Sequence, residues 1–230
     1  MNKPVLPRLR KCLILVMTLY ATLAMLHWPL GFTYFTQLSN LYAAAIAACL
    51  LVRRPGRTLA LLQYTAAVSI SLTFAVFLLV LAPLNPRGLF AAYAQDHGAS
   101  LCMHLLTPVL TVWDYLADSA GTSLPRRRHI PFAVLPPLVY FLFILILGQC
   151  GLRWGGMSAP YPFLNYSAPA GWFGFRPETF GRATLGVGVF YAVLVMLLAV
   201  LLFGWGLQAA SSRRRCFPEQ DESLLKSSRH

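Results

Sequence analysis

Leu59 to Ala82 reads LALLQYTAAVSISLTFAVFLLVLA, 24 consecutive positions without a charged side chain. A helix needs about 20 predominantly apolar residues to cross the hydrocarbon core of a bilayer, so this stretch reads as a membrane span. Outward from it lie five more runs of comparable length: Cys12 to Leu30, Thr33 to Val52, Ala99 to Leu116, Ile130 to Gly148 and Ala183 to Leu207. Over its 230 residues the chain is 57% hydrophobic and 11% charged, with a mean hydropathy of +0.61. That is more apolar surface than a soluble core of this size can hide. The expected fold is all-α: a polytopic integral membrane protein, one domain over residues 1–210 built as a bundle of six transmembrane helices. A short polar tail, 211–230, is expected to be disordered. Pro136-Pro137 interrupts the fifth run and predicts a kink there, because neighbouring helices can satisfy the carbonyls that proline frees.

The net charge of +12 is distributed by side of the membrane rather than gathered for a nucleic acid. Lys3, Arg8, Arg10 and Lys11 precede the first span, Arg53, Arg54 and Arg57 follow the second, and Arg126, Arg127 and Arg128 follow the fourth. Arg213, Arg214, Arg215, Lys226 and Arg229 follow the sixth, leaving only Arg87, Arg153, Arg176 and Arg182 on the other links. The positive-inside rule then puts both termini in the cytoplasm and requires an even number of spans. The expected partners of these clusters are anionic lipids, at about 1 kcal/mol per basic residue near the surface; no nucleic acid is implied. The five cysteines, Cys12, Cys49, Cys102, Cys150 and Cys216, form no CxxC pair, and neither a disulfide framework nor a zinc site is expected. None of the five histidines forms a ligand pair at helical spacing, so no metal and no cofactor are expected. The basic and then apolar N-terminus is like a signal peptide, but five further spans and no polar mature domain follow, so we expect it to be retained. No mitochondrial, retention or lipidation signal is present, which points to a plasma or bacterial inner membrane.

Two links depart from the pattern. Ala82 to Gly98 is turn-rich, with Asn85-Pro86-Arg87-Gly88 and Asp96-His97. Gly151 to Arg182 holds Trp154, Tyr161, Phe163, Tyr166, Trp172, Phe173 and Phe175 among many Gly and Pro. It is too apolar for a free loop and too broken for a span, so it is expected at the membrane interface or as a lid, where Trp and Tyr are favoured.

Polar groups at membrane depth are costly unless paired, and their arrangement is where function is sought. Thr33, Thr36, Gln37 and Asn40 form one stripe of the second span, continued by the small residues Ala43, Ala44 and Ala47, which permit close helix contact. His104, Thr107, Thr111, Asp114 and Asp118 lie near one face of the fourth. At 1.5 Å per residue, Thr36 and His104 lie roughly 5 and 8 Å in from the outer side, whereas Asp114 is roughly 15 Å deeper than His104. That depth argues against a triad through Asp114, whereas Thr36 and His104 can meet. A neutral imidazole could take the threonine proton as the hydroxyl attacks an ester carbonyl, and Asn40 or Gln37 could donate to the oxyanion. Against this stand plainer roles: threonine bonding its own helix carbonyls and histidine joining helices. Asp114 likewise either pairs with a nearby arginine such as Arg126 or serves a proton or cation relay.

Three segments carry a resemblance: Phe32-Thr33-Tyr34-Phe35-Thr36-Gln37-Leu38-Ser39-Asn40, Met103-His104-Leu105-Leu106-Thr107-Pro108 and Tyr161-Pro162-Phe163-Leu164-Asn165-Tyr166. In order and placement the chain resembles the androgen-induced-gene family of transmembrane proteins and its bacterial six-span relatives, from about Thr33 to Leu207. Animal members are membrane hydrolases of fatty acid esters of hydroxy fatty acids that use a threonine nucleophile and a histidine. The resemblance implies that Thr36 is the nucleophile and His104 the histidine, and that Tyr161, Phe163, Asn165 and Tyr166 form a lid or pocket wall. The run from Thr36 to Asn40 is closer to the bacterial relatives, so fold carries over before substrate. The expected function is an intramembrane hydrolase of lipid acyl esters. The alternative is a non-enzymatic small membrane carrier, lipid-binding or accessory protein.

Overall fold

The computed structural model describes residues 5–53, 56–118, 127–181 and 184–216. Seven α-helices follow one another in the described chain: α1 Val5–Ala24, α2 Phe35–Val52, α3 Arg57–Val76, α4 Leu89–Ala94, α5, α6 Leu135–Gln149 and α7 Val189–Cys216. Helix α5 joins Ala99–Leu101, a π-helical turn Cys102–Leu106 and Thr107–Asp118, and a second π-helical turn, Phe77–Leu81, extends α3. Among the described residues there are no strands, only three isolated bridges. The fold is therefore all-α, and four helices are long and apolar enough to cross a membrane: Phe35–Val52, Arg57–Leu81, Arg127–Gln149 and Val189–Arg213. Helices α1 and α5 are not among these four; α1 carries Arg8, Arg10 and Lys11, and α5 carries His104, Asp114 and Asp118.

Helix boundaries depart from the apolar runs where proline or a side chain overrides hydropathy. Helix α1 ends at Ala24, well short of Leu30, and the chain turns through Met25, Trp28 and Gly31. Pro136 and Pro137 do not kink a helix. They occupy its first turn, where the missing N–H was unpaired anyway, and a 3₁₀ stretch, Arg127–Val134, leads in. At the other end α7 continues past residue 210 to Cys216. Ser211 and Ser212 both donate to the Gln208 carbonyl, at 2.8 and 2.9 Å, and so stay within the helix. The expected tail beyond Cys216 lies outside the described residues.

The two π turns share a cause. Pro108 has no N–H to give the His104 carbonyl, and the ladder slips to an i+5 bond, from Thr107 N to Cys102 O. Pro83 cannot cap Leu79 in the same way, and Ala82 N reaches back to Phe77 O. Helix α3 is the centre of the bundle, with Tyr64, Ala67, Val68, Ser69 and Ile70 fully buried, and it packs on α2, α5 and α7 while α1 packs on α2 and α5. Helices α6 and α7 are peripheral and expose Val139, Leu142, Ile146, Leu194, Val195 and Leu202, an outer surface that suits lipid.

Between α6 and α7 the chain folds back over the start of α2. Its turns are tied by the Asn165 side chain, whose Oδ1 accepts from Ser158 N, Ser158 Oγ and Ser167 Oγ at 3.1, 2.9 and 2.7 Å. Close approach to α6 depends on Gly148, where a Cβ would collide with the Ser158 carbonyl and the Tyr166 hydroxyl.

Candidate functional site

The first turn of α2 presents Thr36 toward the α6–α7 connection. Tyr161 accepts from the Thr36 backbone N–H at 3.2 Å, and the two hydroxyls are also 3.2 Å apart. The first N–H groups of a helix have no partner within it, so Tyr161 acts as a cap delivered from more than a hundred residues away. Trp154 Nε1 donates to Thr33 Oγ1 at 2.8 Å, and Tyr140 of α6 donates to the Thr33 carbonyl at 3.1 Å. Tyr161 stacks on Phe163 at 5.0 Å and meets Tyr34 edge-on at 5.5 Å. Burial pushes the Tyr161 phenol up to about 12, so it remains a hydrogen-bond donor at neutral pH.

Below this cap is a cavity of about 60 Å³ between α2, α3, α6 and α7. Its wall is hydrocarbon and aromatic, including Leu72, Val76, Leu138, Phe163 and Met196, and Thr36, Thr73, Tyr140 and Tyr161 are the hydroxyl-bearing residues among its lining. Tyr161 and Phe163 therefore line the cavity that Thr36 faces. Asn165 and Tyr166 do not: Asn165 ties the connection together, and Tyr166 stacks on Trp172 at 5.4 Å.

His104 stands on the neighbouring helix and is not hydrogen-bonded to Thr36. Its Nδ1 lies 2.9 Å from the Ser100 carbonyl and 3.2 Å from Ser100 Oγ, and its ring stacks on Phe77 at 3.7 Å. The contact with a carbonyl puts the proton on Nδ1 and leaves the Nε2 lone pair available. The two π turns thus meet through Phe77 and His104. Asn40 connects the helices: its Nδ2 donates to the Thr36 carbonyl at 2.7 Å and to the Met103 carbonyl at 3.2 Å. Those two oxygens are separated by no more than the sum of the two bonds, which puts Thr36 and His104 at one level of the bundle. Both N–H groups of Asn40 are consumed in this clamp, and its Oδ1 is buried without a partner. Gln37 points to the other side of α2 and donates to Thr22 Oγ1 of α1 at 2.6 Å. None of His104, Asn40 and Gln37 lines the cavity.

Asp114 has partners that its sequence neighbourhood did not disclose. Its Oδ1 accepts from Arg10 Nε at 3.0 Å and from Lys11 Nζ at 2.9 Å, and Asp118 takes Arg10 and Lys11 at 3.2 and 2.6 Å. Gln63 of α3 approaches both carboxylates. Arg10, Lys11, Gln63 and Asp114 are all buried. Arg126, the partner suggested by proximity, lies outside the described residues. Among the described residues no group of three or more His, Cys, Asp or Glu side chains could hold a metal ion. No family model, curated protein or solved structure matches the chain.

Proposed function

We propose that the chain is a six-span membrane protein with both ends in the cytoplasm, and that it hydrolyses lipid acyl esters at Thr36. The spans beyond the four apolar helices are α1 and α5. Their charges form a mutually neutralising set of two buried cations, the buried carboxylate of Asp114 and the half-buried one of Asp118, which removes much of the cost of holding them at the membrane boundary. The alternation of basic links supports the orientation.

The observation that carries the hydrolase reading is Thr36 in the wall of a largely apolar cavity, with its hydroxyl 3.2 Å from that of Tyr161. In the reaction Thr36 Oγ1 attacks the ester carbonyl and its proton passes to Nε2 of His104. Because Thr36 and His104 share a level but not a bond, the transfer uses a bridging water or a rotation about the Thr36 side chain. The oxyanion forms within reach of the Tyr161 hydroxyl, whose proton can turn from Thr36 Oγ1 to the new anion, whereas both N–H groups of Asn40 are held by backbone carbonyls. The alkoxide leaves with the proton from His104, giving an acyl-threonine and an alcohol. Water, activated by the same imidazole, then releases the acid and restores Thr36. The substrate class is an amphipathic acyl ester drawn from membrane lipid; the resemblance to the androgen-induced-gene family supports the same pair of residues.

A second reading, a lipid-binding or carrier protein without chemistry, is favoured by one observation: no base touches the Thr36 hydroxyl. Covalent labelling of the purified protein by a lipophilic fluorophosphonate separates the two. Labelling of wild type that is lost in Thr36→Ala and in His104→Ala, each still folded, is expected of a hydrolase. An unlabelled wild type would favour the binding protein.

A further inference from the structure

On the far side of Phe35 and Tyr140 from the cavity is a second space, an open groove of about 580 Å³ between α2, α3 and α6. Phe35 and Tyr140 line both spaces, with their ring centroids 5.0 Å apart. The remaining wall is mainly hydrocarbon and aromatic, from Leu38 and Tyr42 on one side and Val139 and Phe143 on the other. Val139 is 62% exposed and Phe143 40% exposed, so the groove opens sideways from two helices apolar enough to span a membrane.

The hydroxyls beside the groove already have partners. Ser39 Oγ pairs with Thr73 Oγ1 at 2.7 Å, Ser69 Oγ donates to the Thr65 carbonyl at 2.8 Å, and Tyr42 pairs with Thr65 Oγ1 at 2.7 Å. A site for a polar headgroup would present unpaired donors or acceptors. This one offers none at those positions and is suited to hydrocarbon. The cavity at Thr36 alone is too small for a lipid chain, since small-molecule sites run from about 300 to 1,000 Å³. The groove is within that range.

We propose that this groove holds one acyl chain of a bilayer lipid, and that the Phe35–Tyr140 ring pair is the gate between that chain and Thr36. The gating half rests on the hydrolase reading; occupancy of the groove does not. Lipid enters from the side between α2 and α6, and separation of the two rings joins groove and cavity into one space.

The test uses the full chain in phosphatidylcholine nanodiscs doped with a phospholipid bearing a mid-chain diazirine, photolysed and mapped by mass spectrometry. Adducts at Leu38, Val139 and Phe143 are expected to exceed those at the equally lipid-facing Val195 and Leu202 of α7 by about tenfold, the ratio of a 1.4 kcal/mol preference. Val139→Trp and Leu38→Trp, which fill the groove from exposed or half-exposed positions, should each remove that excess and leave α7 labelling unchanged. Equal labelling of both faces in wild type, or an excess untouched by both tryptophans, would overturn the proposal. Thr36→Ala is expected to keep the excess, so a failed fluorophosphonate experiment beside a preserved adduct pattern would sink the hydrolase and leave the lipid groove standing. With the diazirine moved close to the ester, adducts should reach Leu72 and Val76 inside the cavity. Their absence from wild type and from a gate-opening Phe35→Ala would remove the gate.

Discussion

At the Thr36 end of α2 the polar groups are hydroxyls, a phenol and an indole N–H; at the Asp114 end of α5 they are three buried charges, the half-buried carboxylate of Asp118 and a glutamine. Both ends join elements distant in sequence, and both bury their polar atoms among helices. The charged end is closed: each cation reaches both carboxylates. The neutral end leaves capacity unused, with a cavity under Tyr161 and with Asn40 Oδ1 and Gln37 Oε1 unpartnered nearby. A saturated network fixes geometry, whereas chemistry needs groups whose hydrogen bonds can be exchanged during reaction. On the proposed hydrolase function, the charged end serves assembly and the neutral end takes the substrate.

Breaking the charged end should have the largest effect on stability. Asp114→Ala leaves two buried cations facing one carboxylate, and loss of one partner from a buried pair typically costs about 3–5 kcal/mol. A sharp fall in the detergent melting temperature is expected. Removing charge in balance, with Lys11→Met and Asp114→Leu together, should recover a substantial part of it, because hydrophobic replacement of a buried pair is often neutral. Equal loss in the single and double variants would mean that this end is not a balanced charge network.

This cluster is also where the sequence was least informative. The runs of apolar residues disclosed an all-α fold and the four helices long and apolar enough to cross a membrane, because hydropathy is a local property summed over about 20 residues. Arg10 and Lys11 flank such a run and read as topology signals, yet they lie inside α1 and are paired with carboxylates more than a hundred positions away. Only the fold creates that neighbour. The candidate site was legible in the same partial way. Thr36, Tyr161 and Phe163 stand around one cavity, a juxtaposition of segments more than a hundred residues apart that only the fold creates. The local chemistry of His104 is present in the sequence: Ser100 stands four residues before it and Pro108 four after. Those spacings respectively give the ring a carbonyl partner and deprive its own carbonyl of one. Asn40 had the right residue type for an oxyanion donor, but residue type does not disclose that two backbone carbonyls already occupy its N–H groups.

At the neutral end the largest effect should fall on activity. Tyr161→Phe keeps the ring stack on Phe163 and removes only the hydroxyl beside Thr36. If the phenol supports the oxyanion, ester turnover or fluorophosphonate labelling should drop by about 10²–10³, the usual consequence of deleting one such donor. The melting temperature should move little, because a single net hydrogen bond is worth about 1 kcal/mol. A wild-type rate in this variant would confine Tyr161 to capping α2.

Trp154→Phe probes the same end with the smallest expected change. It retains an aromatic ring in the packed cluster with Tyr140 and Tyr161 and deletes the N–H that reaches Thr33 Oγ1 at 2.8 Å. Hydrogen bonds between membrane segments average about 0.6 kcal/mol, so global stability should scarcely register the loss. Local opening should. The connection over Thr36 is made of turns with few backbone bonds to the helices, and such units open at free energies below that of the whole fold. Amide exchange from Trp154 to Tyr166 should therefore rise while that of α3 stays unchanged. If α3 exchanged faster as well, the connection would be part of one cooperative unit with the bundle, and opening over Thr36 would require the helices themselves to separate.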